Sequence, residues 1–194
     1  MRRGLTAVFL AALTLTVLAL PACADKTVYE PFAWAEGFAH FSFDRPQGYE
    51  LTNKYLTSDP GSQSTQIILT PPSSTQEMGS AITVTAVEPN QLTPDAPTYL
   101  DMAELLYKNQ KNLTDFRFVQ EYSVTVAGVK AEAVLYCYTI KPADGSTAYT
   151  VYTRGAYFDA AGRIWAINVG AGTKDGKDNK SVFDRITRTF KILE

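Results

Sequence analysis

The tightest constraint on this chain's fold is a succession of four strand-length runs joined by reversals, two of them too short for anything but antiparallel pairing. Phe118 to Val126 meets Val129 to Ile140 across Ala127 and Gly128, Pro142 to Ser146 leads into Ala148 to Phe158, and Ala160 to Gly162 leads into Arg163 to Val169. Short reversals with glycine are hairpin chemistry, because glycine reaches the positive φ that such turns need. In the second run Ala131, Ala133, Leu135 and Cys137 fall on one face, and Val134, Tyr136, Tyr138 and Ile140 fall on the other. Both faces are therefore apolar, and a sheet apolar on two sides needs cover on two sides.

The earlier strands alternate in the same way. Phe41 and Phe43 alternate with His40, Ser42 and Asp44 before a turn at Pro46 to Tyr49. Thr65 to Thr70 is stopped by Pro71 and Pro72, and Ile82, Val84 and Ala86 mark a further strand. Ser73 to Gly79 and Asn90 to Pro97 read as loops. The period then changes. Thr98 caps a helix over Tyr99 to Leu113, with Asp101 reaching back to it and Tyr99, Met102, Ala103, Leu106 and Leu113 along one face. A second helix runs over Lys180 to Phe190, with a stripe of Val182, Phe183, Ile186 and Phe190. The expected fold class is α+β, an antiparallel β-sheet flanked by helices in an α/β/α sandwich.

The N-terminus carries an address. Arg2 and Arg3 precede sixteen uncharged, largely apolar residues from Leu5 to Leu20, and Pro21, Ala22 and Cys23 follow at once. As a helix that stretch rises about 24 Å, short of a roughly 30 Å hydrocarbon core, which favours a cleaved signal peptide over a permanent span. Leu20 to Cys23 resembles the lipobox of bacterial lipoproteins, and the resemblance implies that the Cys23 thiol takes a diacylglycerol. Lipid chains at ~0.8 kcal/mol per buried methylene would hold the protein on a bilayer. The competing readings are an uncleaved anchor and an ordinary signal peptide cut elsewhere. Once Cys23 is acylated, Cys137 is the one cysteine left, no intramolecular disulfide can form, and the apolar core has to hold the fold. The chain thus divides into a lipoprotein signal peptide over 1–22, a lipid-anchored tether over 23–37 and a globular domain over 38–194. Tyr29, Phe32 and Trp34 are out of place in a solvated tether. They point to docking, onto the protein's own domain or onto a partner or the membrane interface.

From Phe41 to Leu193 the chain resembles the PsbP-like family, whose fold is shared with Mog1. The resemblance rests on Phe41 to Tyr49, an aromatic strand followed by Pro46, Gly48 and an aromatic residue; on the strand Ile82 to Ala86; on the mid-chain helix; and on Val182 to Phe190, which is similar to the family's closing helix. It implies an antiparallel sheet between helices. Family members in oxygenic phototrophs are lumenal accessory subunits of photosystem II, some of them lipid-anchored, and other exported relatives are lipoproteins. A photosystem II-type role is what the resemblance implies if the source is a phototroph.

Composition and motifs narrow the chemistry. Removing Arg2 and Arg3 leaves 16 basic against 20 acidic side chains, a balance with no field for phosphate, so no nucleic-acid partner is expected. His40 is the only histidine, which excludes a multi-histidine metal site, and no serine-nucleophile motif accompanies it. Gly170 to Gly172 lacks the third glycine spacing and the helix of a dinucleotide loop. Lys177 stands where a calcium loop over Asp175 to Asn179 would need an oxygen ligand. Asn112 and Asn179 open glycosylation sequons, a pattern that usually means nothing in a bacterial lipoprotein. Cys137 reads as a small buried hydrophobe. Of eleven tyrosines, Tyr136, Tyr138, Tyr149, Tyr152 and Tyr157 gather on adjacent strands, either as sheet packing or as a contact face with Arg154 beside it. No catalytic, cofactor-binding or metal-binding residue and no cofactor are assigned, and Cys23 is the lipidation site. The expectation is a non-catalytic extracytoplasmic lipoprotein, on the outer membrane if the cell has one, serving as accessory or assembly factor for a membrane-associated complex. The alternative is a binding module for a small apolar ligand or lipid.

Overall fold

The computed structural model describes residues 27–72, 80–89, 98–108, 113–141, 147–171 and 178–193. Cys23 and the loop readings at 73–79, 90–97 and 142–146 lie outside them. In chain order the elements are β1 (Tyr29–Trp34), β2 (His40–Pro46), β3 (Glu50–Thr57), β4 (Ser64–Thr70), β5 (Ala81–Val87), α1 (Tyr99–Lys108), β6 (Leu113–Val126), β7 (Val129–Ile140), β8 (Tyr149–Ala160), β9 (Arg163–Ala171), α2 (Asp178–Thr189) and β10 (Lys191–Leu193). Seven strands form an antiparallel sheet ordered β3-β4-β5-β9-β8-β7-β6, and a second sheet is ordered β1-β2-β10. Helix α1 carries the chain from β5, inside the large sheet, to β6 at its far edge. The hairpins β6 to β9 then return and close β9 against β5.

The meander and the two-faced β7 are present as expected. The cover is not. In place of a helix-flanked α/β/α sandwich, the fold is largely β, because one face of the large sheet is covered by the small sheet together with α2. On that inner face Ile67, Leu69, Val84, Trp165 and Ile167 are fully buried against Phe41 of β2 and against Phe183 and Ile186 of α2. On the outer face Leu100 and Tyr107 of α1 pack against Val134, Tyr136 and Tyr157. The physical reason lies in residues 29–34, which the tether reading placed outside the domain. Tyr29, Phe32 and Trp34 sit on strand β1, paired with β2 from Tyr29 opposite Pro46 to Trp34 opposite Phe41. A strand that buries Trp34 and packs Phe32 against the core supplies apolar cover that a helix would otherwise give. The α1 cap forms as expected, with the Asp101 amide donating to Thr98 Oγ1 at 3.2 Å and the Thr98 amide donating to the Asp101 carboxylate at 3.1 Å. The helix itself ends at Lys108, and Leu113 opens β6; the side chains of Tyr99, Met102, Ala103 and Leu106 lie outside the described residues.

Both outer edges of the large sheet are irregular. β3 carries a bulge between Leu51 and Asn53, and β6 carries shifts between Thr114 and Arg117 and between Phe118 and Gln120. Such bulges twist an edge and discourage it from templating another chain.

Helix α2 is pinned at both ends. Near its start the Asn179 side chain, 3% exposed, donates to the carbonyls of Tyr152 at 3.0 Å and Val169 at 2.8 Å and accepts from Arg154 Nε at 3.1 Å. At its other end Thr189 Oγ1 accepts from the Asp44 amide at 3.0 Å, and Arg185 pairs with the Asp44 carboxylate. The last two residues of the Asp175 to Asn179 segment thus belong to α2, and the Asn179 side chain is buried.

Two outcomes follow from these contacts. Asn179→Ala strips a partner from each of two strand carbonyls and from a buried arginine at once; a loss of about 3 kcal/mol in urea-unfolding stability is expected, and a change within error would show that Asn179 does not pin α2. The hairpins at Ala127–Gly128 and Ala161–Gly162 hold all four residues at positive φ, with Ala127 at 49° and Ala161 at 51°. Asparagine tolerates that region better than alanine, so Ala127→Asn and Ala161→Asn should each stabilise by about 0.5 kcal/mol, read as a higher urea midpoint at unchanged slope.

Candidate functional site

Strand alternation splits the tyrosine group that the sequence gathered. Tyr136 and Tyr138 of β7 and Tyr157 of β8 lie on the outer face of the large sheet, whereas Tyr152 and Arg154 lie on the inner face, opposite Cys137 and Leu135. Arg154 is therefore not beside a tyrosine contact surface. It is a buried side chain that bonds Asn179 and reaches the Tyr122 hydroxyl at 3.4 Å.

The outer-face tyrosines instead form a network whose other members come from elsewhere in the chain. Asn168 of β9 accepts through Oδ1 from the Tyr136 hydroxyl at 3.2 Å and from the Tyr157 hydroxyl at 3.1 Å. Having given its proton to Asn168, the Tyr136 oxygen accepts from the Tyr107 hydroxyl of α1 at 3.0 Å. The Tyr107 ring lies 4.8 Å from Tyr138, 5.2 Å from Phe116 and 5.3 Å from Tyr136, centroid to centroid. Gly155 makes room for this arrangement, since a Cβ there would stand 2.7 Å from both Asn168 Oδ1 and the Tyr157 ring. Burial, the largest cause in each case, raises the phenol pKa of Tyr107, Tyr138 and Tyr157 and raises that of Tyr136 well above its ordinary value; the neighbouring phenols add to the effect at Tyr136. These hydroxyls stay neutral and committed to one another at physiological pH.

Cys137 is buried as expected, but its sulfur accepts a hydrogen bond from Arg117 Nε at 3.2 Å. The pairing of those two residues follows a bulge, which sequence alone does not locate. His40 opens β2 opposite Leu193, half-buried, and no group of three metal-ligating side chains occurs among the described residues.

Two further features involve residues 27–38. The first is a row of cations over aromatic rings: Arg185 over Tyr29 at 5.6 Å, Arg45 over Phe32 at 5.1 Å, Lys54 over Trp34 at 5.7 Å and Arg163 over Phe38 at 4.7 Å. The carboxylates of Asp44, Glu30 and Glu36 pair with the first three cations. The second is a cleft of about 480 Å³, lined among others by Thr27, Val28, Gln47, Pro72, Ala171 and Val182; none of its lining side chains among the described residues is charged. Val28, 61% exposed, stands at its lip and accepts from the Gln47 amide at 2.9 Å. Neither feature was foreseen, though three aromatics in the supposed tether were the available signal.

The tyrosine network sets a pH response. Unfolded tyrosine loses its proton near its ordinary pKa of 10.0, and the folded phenols lose theirs only at higher pH. The folded state binds more protons there, so stability is complete below that value and falls as pH rises beyond it, by up to ~1.4 kcal/mol per pH unit for each such tyrosine. Four of the eleven tyrosines should ionise only together with loss of the circular dichroism signal. Smooth titration of all eleven with the fold intact would refute the network.

No protein-family model and no curated protein sequence matches the chain. Solved structures do. Cyanobacterial PsbP (CyanoP) from Synechocystis sp. PCC 6803 superposes with a TM-score of 0.56 at 14% identity, over 90% of this chain and 99% of that one. The Ran-binding protein Mog1p of Saccharomyces cerevisiae superposes with a TM-score of 0.52 at 14% identity, over 87% of this chain and 97% of that one. At this identity the likeness speaks to architecture, and it agrees with the resemblance carried by Phe41 to Tyr49 and Val182 to Phe190: the chain has the PsbP/Mog1-like fold.

Proposed function

We infer that the protein is an extracytoplasmic lipoprotein, anchored through Cys23, that acts by contact rather than catalysis as an accessory or assembly factor for a membrane-associated complex. The observation that carries this reading is the architecture shared with cyanobacterial PsbP over 90% of the chain. The same architecture in Mog1p belongs to a protein that binds another protein, Ran. The leader and lipobox-like Leu20 to Cys23 support the address. Among the described residues no helix is long and apolar enough to cross a membrane. The tyrosine network supports a contact role, because its hydroxyls are spent on one another and on Asn168. The reading of a module for a small apolar ligand or lipid would use the cleft beside Val28, where no described lining residue is charged.

The test has two parts. The mature product should begin at Cys23 and exceed its polypeptide mass by a diacylglyceryl group, and Cys23→Ser should move it from the membrane to the soluble fraction. Crosslinking in native membranes should then recover one complex in fixed stoichiometry. An unmodified sulfur at position 23 would defeat the anchor, and membranes that yield no stoichiometric partner would defeat the accessory role.

A further inference from the structure

The place where the chain enters the fold restricts which surface can meet a bilayer. Thr27 and Val28 line the uncharged cleft, and the strand ends around them all belong to one end of the molecule: the start of β1, the end of β2 at Pro46, the end of β4 at Pro71 and Pro72, the end of β9 at Ala171 and the start of α2 at Asn179. The opposite end carries the β8–β9 hairpin, where Ala160 pairs with Arg163, and the β6–β7 hairpin, where Thr125 pairs with Lys130. The nine residues of β9 separate the two ends by roughly 25 Å.

Only residues 24–26 stand between Cys23 and Thr27. Four Cα steps reach at most about 14 Å, whatever path they take. Past Thr27 there is no slack. Val28 is bonded to Gln47, β1 is paired along its length with β2, and Tyr29, Phe32 and Trp34 lie beneath cations that carboxylates also hold. A lipid on Cys23 therefore cannot reach past the end of the molecule that contains the cleft, because the far end lies further away than the leash is long.

We propose that the cleft end, with Val28 and Gln47 at its lip, is the membrane-facing surface of the protein and rests against the interfacial layer of the bilayer. This rests on the reading of Cys23 as the lipidated residue. Two observations on the surface itself fit a lipid interface. Among the described residues the lining carries no charged side chain whose hydration would be lost on contact, and Val28 presents an exposed aliphatic group at the rim. The far end carries the exposed side chains of Lys130, Glu132 and Asp159, which suit water or a polar partner. The strands then run away from the membrane, and the two tight hairpins become the part of the protein that projects outward.

The experiment uses the full-length lipidated protein in phosphatidylcholine vesicles that contain a nitroxide-bearing lipid. A fluorophore is placed either at Gln47→Cys, exposed at the cleft, or at Lys130→Cys, exposed at the far end, with the unsubstituted protein as the labelling control for buried Cys137. Flotation reports whether the protein is bound, and quenching reports which end is near lipid. The expected result is floating protein whose Gln47 label is quenched several-fold more than its Lys130 label. That difference should vanish when about ten flexible Gly/Ser residues are inserted after Ala24, since the longer leash no longer restricts orientation. Floating protein with equal quenching at the two sites, or with more at Lys130, overturns the orientation while leaving the anchor in place. Protein that does not float overturns the anchor, and with it this assignment.

Discussion

The structure depends on one aromatic junction. Phe190, just beyond α2, lies 5.6 Å from Phe41 and 6.3 Å from Phe43 on the small sheet, and 5.4 Å from Trp165 and 6.1 Å from Phe158 on the large one, centroid to centroid. These pairs are stacked toward the small sheet and edge-on toward the large one, geometries that add about 0.5–1.5 kcal/mol each to the burial of the rings. The small sheet could not stand without it. It has three strands, one of only three residues, and all its apolar side chains need a surface to face. The same junction positions α2, whose start is then within reach of Arg154 and of the strand carbonyls that Asn179 ties down.

The two faces of the large sheet are held by different chemistry. Dispersion and apolar burial dominate inside, where Thr65 and Arg154 are rare polar members of a layer of Ile, Val, Ala, Phe and Trp. Outside, where one ten-residue helix gives the cover, phenol hydroxyls meet around Asn168 and every ring has to fit both its neighbours and its hydrogen bond. Such a layer specifies a single arrangement, because a hydroxyl turned away from its partner in a buried place loses the bond and keeps the desolvation cost. Gly155 belongs to this economy of space, leaving the volume that Asn168 and Tyr157 fill.

The entry of the chain joins architecture to address. Cations from β2, β3, β9 and α2 lie over Tyr29, Phe32, Trp34 and Phe38, and three of them also pair with a carboxylate. Each contact is modest at a partly exposed site. Together with the β1–β2 ladder they make Tyr29–Trp34 part of the folded body rather than a solvated stalk.

What the amino-acid order determined by itself was whatever depends on neighbours in sequence. Alternation marked β7 and its apolar faces, Ala127–Gly128 and Ala160–Gly162 marked hairpins, Thr98 and Asp101 marked a helix start, and Val182, Phe183, Ile186 and Phe190 marked the closing stripe; each is written in a period or a local hydrogen bond. The quoted segments Phe41 to Tyr49 and Val182 to Phe190 were enough to suggest the architecture. Tertiary structure alone decided which elements cover which face and which distant residues meet. Nothing local to Tyr29–Trp34 says that it pairs with β2 in place of a helix. Nothing local to Tyr107, Asn168 or Gly155 says that they share a site with Tyr136, and the bulges in β6 displace the register that places Arg117 against Cys137. Pairing and register are set by the summed burial of residues far apart in the chain, and that sum exists only once the layers have closed on one another.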